Sequence, residues 1–354
     1  TGPHPSRTPE TNRRDLLAAA HAVWAGAAGL RELARTLGRD RFEALSETIQ
    51  HRAETRLRAV LARLDDGVFC HQEPIIDGGP IAVRIEITGE RAVIDFAGSG
   101  PVHPRCLNAT PAIVTSAVMY VLRLLLDEDL PLNEGLLRPV ELRIPEGLLN
   151  PPFPDGTHSP KGAGVAPASP AVAGGNVEIS QLLVETMLTA LGLCAQSQGT
   201  MNNVVFGNES FGFYETLGGG SGGCPGCPGE SAVHTHMTNT ALTDPEILEH
   251  RFPVRLERSA LRRHSGGHGA APGGDGLERA YRFLVDTRVG FLTGRVVPPR
   301  GLAGGCDGKP VSATLLLGPY TPKKLSTTTL QMAINTLLFV QTPGGGGFGE
   351  TSAP

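Results

Sequence analysis

The sequence predicts an α+β protein in which helices and strands occupy largely separate stretches of the chain. Apolar residues recur at helical spacing near the start and again after Gly175, whereas short alternating apolar runs fill the last third. These changes of period divide the 354 residues into three parts. We expect a helical segment at 1–66, an α+β core carrying glycine-rich active-site loops at 67–240, and a β-rich C-terminal domain at 241–354.

The N-terminal segment predicts a pair of helices. Apolar residues recur roughly at helical spacing between Leu16 and Leu37, and Gly38 is a typical helix stop. A second apolar stripe runs from Phe42 to Leu64, with arginine, glutamate and glutamine on its other side. Such a pair serves either as scaffold or as a contact with another subunit.

A β-hairpin is predicted after the helices. Isoleucine and valine alternate with more polar residues from Ile81 to Ile87, and a Thr-Gly-Glu turn leads into the apolar run at 91–96. The elements expected next are a buried helix at 108–126, a short strand at 138–147, and a long loop at 151–170 that is a linker or a lid.

The clearest single element is a helix that begins near Asn176. The side-chain oxygen of Asn176 can accept a hydrogen bond from an unpaired amide, which makes this residue the predicted N-cap. Apolar residues then repeat from Ile179 to Cys194 with few charges, so we expect a central helix that is buried on most sides. The C-terminal strands are predicted at 252–257, 277–285, 288–296, 311–317 and 335–342.

Composition and charge narrow the classes of function. A formal net charge of −4, with both signs interspersed, gives no reason to expect nucleic acid or a membrane as a partner. The longest apolar run, 112–126, is too short for a confident bilayer span and contains Arg123. Six scattered cysteines do not form a secreted disulfide framework, so we expect a cytoplasmic protein. Because the chain begins with Thr1, we expect a processed or excised fragment.

Two histidines in the stretch VHTHMTNT are the first candidates for chemistry. His234 and His236 are two residues apart, and in a strand this spacing places both imidazoles on one face. Two imidazoles on one face can ligate a metal or hold a polar substrate. The alternative is a pair of hydrogen-bonding histidines without a catalytic role.

Asparagines and one glutamate complete the predicted site. Asn202, Asn203 and Asn239 carry amides that donate and accept hydrogen bonds, which suits recognition of a lactam or stabilisation of an oxyanion. Turn formation and capping are the alternative for each of them. Asn176, at the start of the central helix, is included in the predicted substrate-binding set. Glu215 follows an aromatic run and is either a general base or half of a salt bridge.

The run GGGSGGCPGCPG at 218–229 contains seven glycines in twelve residues. Its backbone amides could cradle an anion, but it lacks the G-x-x-x-x-G-K-[ST] phosphate-loop pattern, so we interpret it as a flexible lid. Cys224 and Cys227 resemble half of a zinc ribbon. Because no second C-x-x-C occurs, we interpret them as incidental thiols.

An ordered set of motifs resembles the hydantoinase B/5-oxoprolinase family, and the resemblance covers nearly the whole chain. The N-terminal matches are RTPETNRRDL, VIDFAGSGP and DLPLN. The later matches, in order, are GGNVEISQ, SQGTMNN, GNESFGFYET, VHTHMTNTALTDPEILE, FPVRLERSALR, SGGHG, GGDG and TPGGGGFG.

The resemblance implies an ATP-dependent opening of a cyclic amide, within a hetero- or homo-oligomer. In this family a hydantoinase A-type subunit or domain binds ATP and Mg and phosphorylates the amide oxygen, and the B-type part hydrolyses the activated ring. The substrate implied is 5-oxoproline and the product glutamate. On this hypothesis we assign proton transfer or a metal-linked role to His234 and His236, contacts with substrate and oxyanion to the asparagines, and a supporting or basic role to Glu215.

Two other functions stay open at this point. The resemblance implies a divalent metal held by residues that precede the RTPETN region in the family, and the identity of any metal here is unknown. Differences from the family, such as Pro272 before GGDG, motivate a non-catalytic assembly partner of a hydantoinase A-type subunit. An acetone-carboxylase-like subunit is the other alternative, which dependence on bicarbonate would distinguish.

Overall fold

The structure is a computed structural model that describes residues 9–126, 128–153, 170–294, 297–316, 322–324 and 329–351. The described α-helices are α1 (Pro9–Leu37), α2 (Arg39–Leu61), α3 (Pro111–Leu124), α4 (Ser180–Ala190) and α5 (Pro245–Arg251). The described strands are β1 (Gly67–Glu73), β2 (Ile81–Thr88), β3 (Arg91–Asp95), β4 (Val140–Arg143), β5 (Asn203–Gly207), β6 (Gly212–Thr216), β7 (Val254–Arg262), β8 (Gly276–Phe283), β9 (Thr287–Leu292), β10 (Ser312–Leu316), β11 (Pro322–Lys324), β12 (Thr329–Met332) and β13 (Leu337–Gln341). The predicted α+β class is confirmed.

Three sheets organise the strands in the described part of the chain. The first has the order β1-β2-β3-β4, with antiparallel neighbours except for the parallel pair β3–β4. The second has the order β11-β10-β13-β8-β7, and the third the order β12-β9-β5-β6. Because β5 pairs with β9, the third sheet joins residues 203–216 to the C-terminal segment.

The first sheet and the helices that cover it share one hydrophobic core. Alternation along β2 buries Ile81, Val83, Ile85 and Ile87 against side chains from α2, α3 and α4. The predicted hairpin is confirmed by the antiparallel pairing of β2 with β3. Residues 180–188 of α4 are all buried, so the prediction of a buried central helix is confirmed as well.

The start of the central helix differs from the prediction. Gly175–Ile179 form a single π-helical turn that continues directly into α4, and Gly174 is the residue that precedes it. Asn176 therefore lies inside the turn and is exposed, so its assignment as the N-cap was wrong. A Cβ at Gly174 or Gly175 would lie 2.7 Å from a backbone oxygen, so close backbone packing requires both glycines.

The N-terminal helical pair is confirmed, with Gly38 at a φ of 78° between α1 and α2. The helix α1 buries none of its residues. Its apolar side chains are exposed instead: Leu16 by 73%, Val23 by 70% and Trp24 by 66%. Because nothing in the described chain covers this face, the choice between scaffold and subunit contact stays open.

The second and third sheets enclose an aromatic core. The ring of Phe206 lies at its centre, with centroids 4.6 Å from Phe213, 5.4 Å from Phe283 and 5.8 Å from Tyr281. Residues from β5, β6, β8, β9 and β13 contribute to the same cluster. This aromatic core fixes the strands that carry Glu215 and Asn203 at their ends.

Four glycine-rich segments, at 218–229, 265–276, 301–308 and 343–349, pack directly on one another, and we call them the glycine stack. Amides of one segment donate to carbonyls of another, as from Gly274 N to Ser221 O and from Gly345 N to Gly274 O, both at 2.9 Å. A Cβ at Gly345 would lie 1.9 Å from Ser221 O. The interpretation of residues 218–229 as a flexible lid was therefore wrong, because this backbone is packed and hydrogen-bonded.

The predicted linker or lid at 151–170 falls mostly on residues 154–169, which lie outside the described residues. Within the described ranges, none of the helices combines the length and the hydropathy needed to span a bilayer.

Candidate functional site

A stripe of polar side chains lies along the buried central helix and the π turn before it. Glu178, Gln181 and Glu185 follow one another at spacings of three and four, so they share one side. They are only 1%, 0% and 2% exposed. Burying charged and amide groups costs free energy unless they are partnered. Their concentration on one side of an otherwise apolar helix therefore marks the site.

The loop between α4 and β5 packs polar side chains against this stripe. Thr200 Oγ1 donates to Glu178 Oε1 at 2.6 Å. The same hydroxyl accepts from the backbone amides of Asn202 and Gly294, each at 3.3 Å. Asn202 has a left-handed φ of 47°, which asparagine tolerates better than most residues. The Glu178–Thr200 pair thus fixes the backbone that carries Asn202.

The side-chain amide of Asn202 orients the side chain of Gln198. Its Nδ2 donates to Gln198 Oε1 at 2.9 Å and to Leu217 O at 3.5 Å, and its Oδ1 accepts from Thr293 at 3.2 Å. Gln198 Nε2 is buried and has no hydrogen-bond partner in the described part of the chain. Gln198, which was not predicted from the sequence, is therefore better placed than Asn202 to donate to a ligand.

A backbone contact within the glycine stack places His234 near Gln198. Gly219 and Val233 exchange backbone hydrogen bonds of 3.0 and 2.8 Å, and the same glycine packs against the side chain of Gln198. Both ring nitrogens of His234 are buried without a partner among the described residues. Burial lowers the pKa of His234, and the carboxylate of Glu215 opposes this effect. His234 is accordingly a neutral imidazole near pH 7 that can accept a proton.

The two histidines do not share a strand. His236 lies in a turn with a φ of 53°, so the expectation of two imidazoles on one strand face was wrong. Its ring packs edge-on against Tyr120 of α3, with centroids 6.0 Å apart. Burial lowers the pKa of His236 to about 4. Between the two histidines, Thr235 O accepts from Gln181 Nε2 at 3.0 Å, which ties this turn to the central helix.

Glu215 forms the ion pair that was one of its two predicted roles. Its Oε2 lies 3.4 Å from Arg279 Nη2 and accepts from Tyr281 Oη at 2.9 Å. Its Oε1 accepts from Thr243 N at 2.6 Å. With both oxygens engaged, Glu215 anchors the loop after the histidines to the aromatic core, and its role as a base stays a prediction.

The remaining predicted residues lie elsewhere. Asn203 Oδ1 accepts from Tyr214 Oη at 2.7 Å and from Thr216 Oγ1 at 3.3 Å. Since Asn203 pairs with Thr216 and the next residue pairs with Glu215, Asn203 and Glu215 lie on opposite faces of the sheet. Asn176 and Asn239 are exposed, and the structure does not bring them into the buried polar region.

A second polar cluster, which was not predicted from the sequence, connects the loop between α4 and β5 to the first sheet. His71 Nε2 lies 2.6 Å from Glu73 Oε1, which also accepts from Gln196 Nε2. Gln196 Oε1 in turn accepts from Arg300 N at 2.9 Å. This chain of contacts fixes one end of the loop that carries Gln198 and Asn202.

The described residues offer no ligand set of their own for the metal that the resemblance assigns to residues preceding the RTPETN region. Within the described ranges, no group of three or more histidine, cysteine, aspartate or glutamate side chains could hold an ion. No step is therefore assigned to a metal on these residues.

Replacing Glu178 by glutamine is expected to change how stability depends on pH. Burial raises the pKa of Glu178 from 4.5 to about 8, although the hydrogen bond from Thr200 opposes this. The carboxyl is then neutral in the folded chain and ionised in the unfolded chain between about pH 4.5 and 8, so the free energy of unfolding falls as pH rises through this window. The slope is up to about 1.4 kcal/mol per pH unit.

Glu178→Gln removes this titration while its amide oxygen can still accept from Thr200. Urea unfolding at a series of pH values should show a flatter profile for the variant. Glu146→Gln, at an exposed position, controls for the loss of a carboxylate. Parallel profiles for Glu178→Gln and the unmodified chain would contradict the prediction.

Buried polar groups that lack a hydrogen-bond partner are rare in folded proteins, so this cluster is the candidate ligand-binding site of the described chain. The chain belongs to the hydantoinase B/oxoprolinase family, whose model matches residues 3–351. The resemblance identified from the motifs is confirmed.

One curated relative and two solved structures illustrate the relationship. The chain is 38% identical over 363 residues to 5-oxoprolinase 1 from Arabidopsis thaliana, covering 98% of this chain but only 28% of that protein. The fold is similar to that of the ATP-dependent caprolactamase from Pseudomonas jessenii, with a TM-score of 0.78 and 23% identity, over 96% of this chain and 61% of that one. It is also similar to acetone carboxylase, with a TM-score of 0.74 and 17% identity, over 90% and 50% of the two chains. At such identities the two structures show a shared fold alone.

Proposed function

We propose that this chain is the hydrolytic part of an ATP-dependent 5-oxoprolinase-type enzyme, which opens an activated cyclic amide. The similarity to 5-oxoprolinase 1 makes 5-oxoproline the favoured substrate and glutamate the product. Since the chain spans 28% of that relative, we assign ATP and Mg binding and phosphorylation of the ring to a hydantoinase A-type subunit or domain. The assembly with that subunit is a hetero- or homo-oligomer, and the free state of all six cysteines fits a cytoplasmic location.

The observation that carries this proposal is the set of unpartnered polar atoms in the buried cluster. Gln198 Nε2 can donate, Gln181 Oε1 can accept, and His234 presents two ring nitrogens, all without partners among the described residues. A lactam offers one carbonyl acceptor and one N–H donor, so it complements a site of this composition. Buried polar groups that lack partners in a folded chain are rare and call for a ligand or water.

His234 and Gln198 can carry out different parts of the hydrolytic step. A lactam is a poor electrophile, whereas the O-phosphorylated ring implied by the family is readily attacked by water. His234, neutral because it is buried, takes the proton from that water. Gln198 Nε2, held in place by Asn202, donates to the oxygen on which negative charge develops. His236 packs against Tyr120 of α3 in the same turn and takes no part in this step.

His234→Gln should lower kcat by about 100-fold or more, because the base is lost while hydrogen-bonding capacity is kept. The assay combines the chain with an A-type partner, ATP and 5-oxoproline, and measures glutamate release together with ATP hydrolysis. His250→Ala, at an exposed position on α5, is the control and should keep full activity. Unchanged turnover in His234→Gln would rule out this base.

The same assay separates the alternatives. Stable association with the partner but no turnover would favour the non-catalytic assembly role. A requirement for bicarbonate, with no ring opening, would favour an acetone-carboxylase-like activity.

A further inference from the structure

The sequence Cys224-Pro225-Gly226-Cys227 forms a tight turn at the edge of the glycine stack. Cys224 N donates to Cys227 O and Cys227 N donates to Cys224 O, both at 3.0 Å. Gly226 has a φ of 75°, and proline precedes it. This is the pattern of a type II turn, in which the third residue needs a positive φ.

The paired backbone brings the two cysteines into the range of a disulfide. Residues of an antiparallel pair that exchange both hydrogen bonds have Cα atoms about 5.5 Å apart. Disulfides span Cα separations of about 4.4–6.8 Å. Cys224 Sγ also donates to Cys227 O at 3.7 Å, so its thiol already points across the turn. The Cα separation expected for this pair therefore lies within the range that a disulfide spans.

The two thiols differ in exposure, and this sets the order in which they react. Cys227 is exposed and Cys224 partly buried, and both are free thiols. A third thiol, Cys194, is partly buried and donates to Gly222 O at 3.6 Å. Burial raises the pKa of Cys194 to about 12, so it supplies little thiolate. Burial and the neighbouring Cys227 raise the pKa of Cys224 as well, which leaves the exposed Cys227 as the first thiol to react. What arranges the two cysteines for oxidation is the paired backbone of the turn.

We propose that Cys224 and Cys227 form a reversible dithiol–disulfide site that low-molecular-weight disulfides oxidise. The Cys227 thiolate attacks one sulfur of such a disulfide, forming a mixed disulfide and releasing one thiol. Cys224, as its thiolate, then attacks Cys227 Sγ and releases the second thiol. The net change converts one protein dithiol and one small disulfide into one protein disulfide and two small thiols. Since the turn already exists, the fold stays in place.

The test treats the whole chain with oxidised glutathione, alkylates the remaining thiols and maps the peptides by mass spectrometry. The expected product is a peptide in which Cys224 and Cys227 have together lost two hydrogens, and dithiothreitol should reverse the change. Circular dichroism should be the same before and after. A glutathione adduct that persists on Cys227, a bridge between Cys194 and Cys224, or an unmodified turn would each overturn the proposal.

Two single variants test the order of attack. Cys224→Ser should trap glutathione on Cys227, because the resolving thiol is missing. Cys227→Ser should react far more slowly, since the remaining thiol is partly buried. Cys306→Ser removes an exposed cysteine outside the turn and should oxidise like the unmodified chain. Equal trapping in the first two variants would contradict the assigned order.

Discussion

Replacing Gly345 by alanine is expected to lower the free energy of unfolding by at least about 3 kcal/mol, or to prevent stable folding. The added Cβ would lie 1.9 Å from Ser221 O and 2.3 Å from Ser221 C. These are backbone atoms within a hydrogen-bonded segment, so they cannot rotate away as a flexible side chain could. Relief requires the glycine stack to separate, which would break the hydrogen bond from Gly345 N to Gly274 O.

Soluble yield and urea unfolding measure this effect, with Gly29→Ala as the matched control. Gly29 lies inside α1, and no atom would come within 4 Å of its Cβ. Alanine there should stabilise the helix by up to about 1 kcal/mol, since glycine is the poorer helix former. A Gly345→Ala chain as stable as Gly29→Ala would show that the segments are not in contact as described.

Replacing Arg279 by leucine is expected to lower the free energy of unfolding by about 3–5 kcal/mol. Arg279 and Glu215 are each only 2% exposed as side chains, and the guanidinium also lies 5.5 Å from the ring centroid of Tyr281. Removing the cation leaves the carboxylate of Glu215 buried without its counter-charge. The cost arises from that unpaired charge more than from the lost contact itself.

A neighbouring ion pair provides the control for Arg279. Arg282 pairs with Glu257 on the surface, where the two side chains are 32% and 33% exposed, so Arg282→Leu should cost no more than about 1 kcal/mol. Adding Glu215→Gln to Arg279→Leu removes the unpaired charge and should recover part of the lost stability. If the double variant is less stable than Arg279→Leu alone, this electrostatic explanation is wrong.

The elements that depend on local patterns were predictable from the sequence. The helical pair, the hairpin at 81–95 and the buried central helix follow from apolar spacing and from turn residues such as Gly38. The strands β5 and β6 were not predicted, because both are short. The strand β5 is fixed by pairing with β9, more than eighty residues along the chain, and among the described strands β6 pairs only with β5. The glycine stack has no side-chain pattern at all, since its contacts join backbones distant in sequence.

The candidate site was predictable only in part. Asn202 and His234 were predictable because amides recognise polar ligands and imidazoles transfer protons near pH 7. Gln198 and Glu178 were not predicted as site residues. Glutamine is common in loops and a single glutamate is common in helices, so neither residue stands out in the sequence. The available signal was the spacing of Glu178, Gln181 and Glu185, three polar residues on one side of an apolar helix. The packing of Thr200 on Glu178 depends on the fold and could not be read from spacing.

The packing of the glycine stack should protect this part of the chain from proteolysis. Proteases cut chains that can be drawn into an extended conformation, and tracts without side chains are usually easy targets. Here the tract at 343–347 is buried, and its residues donate and accept backbone hydrogen bonds with the other three segments of the stack. Their amide protons should exchange with deuterium as slowly as those of the aromatic core, and cleavage should begin instead at segments rich in ordinary side chains.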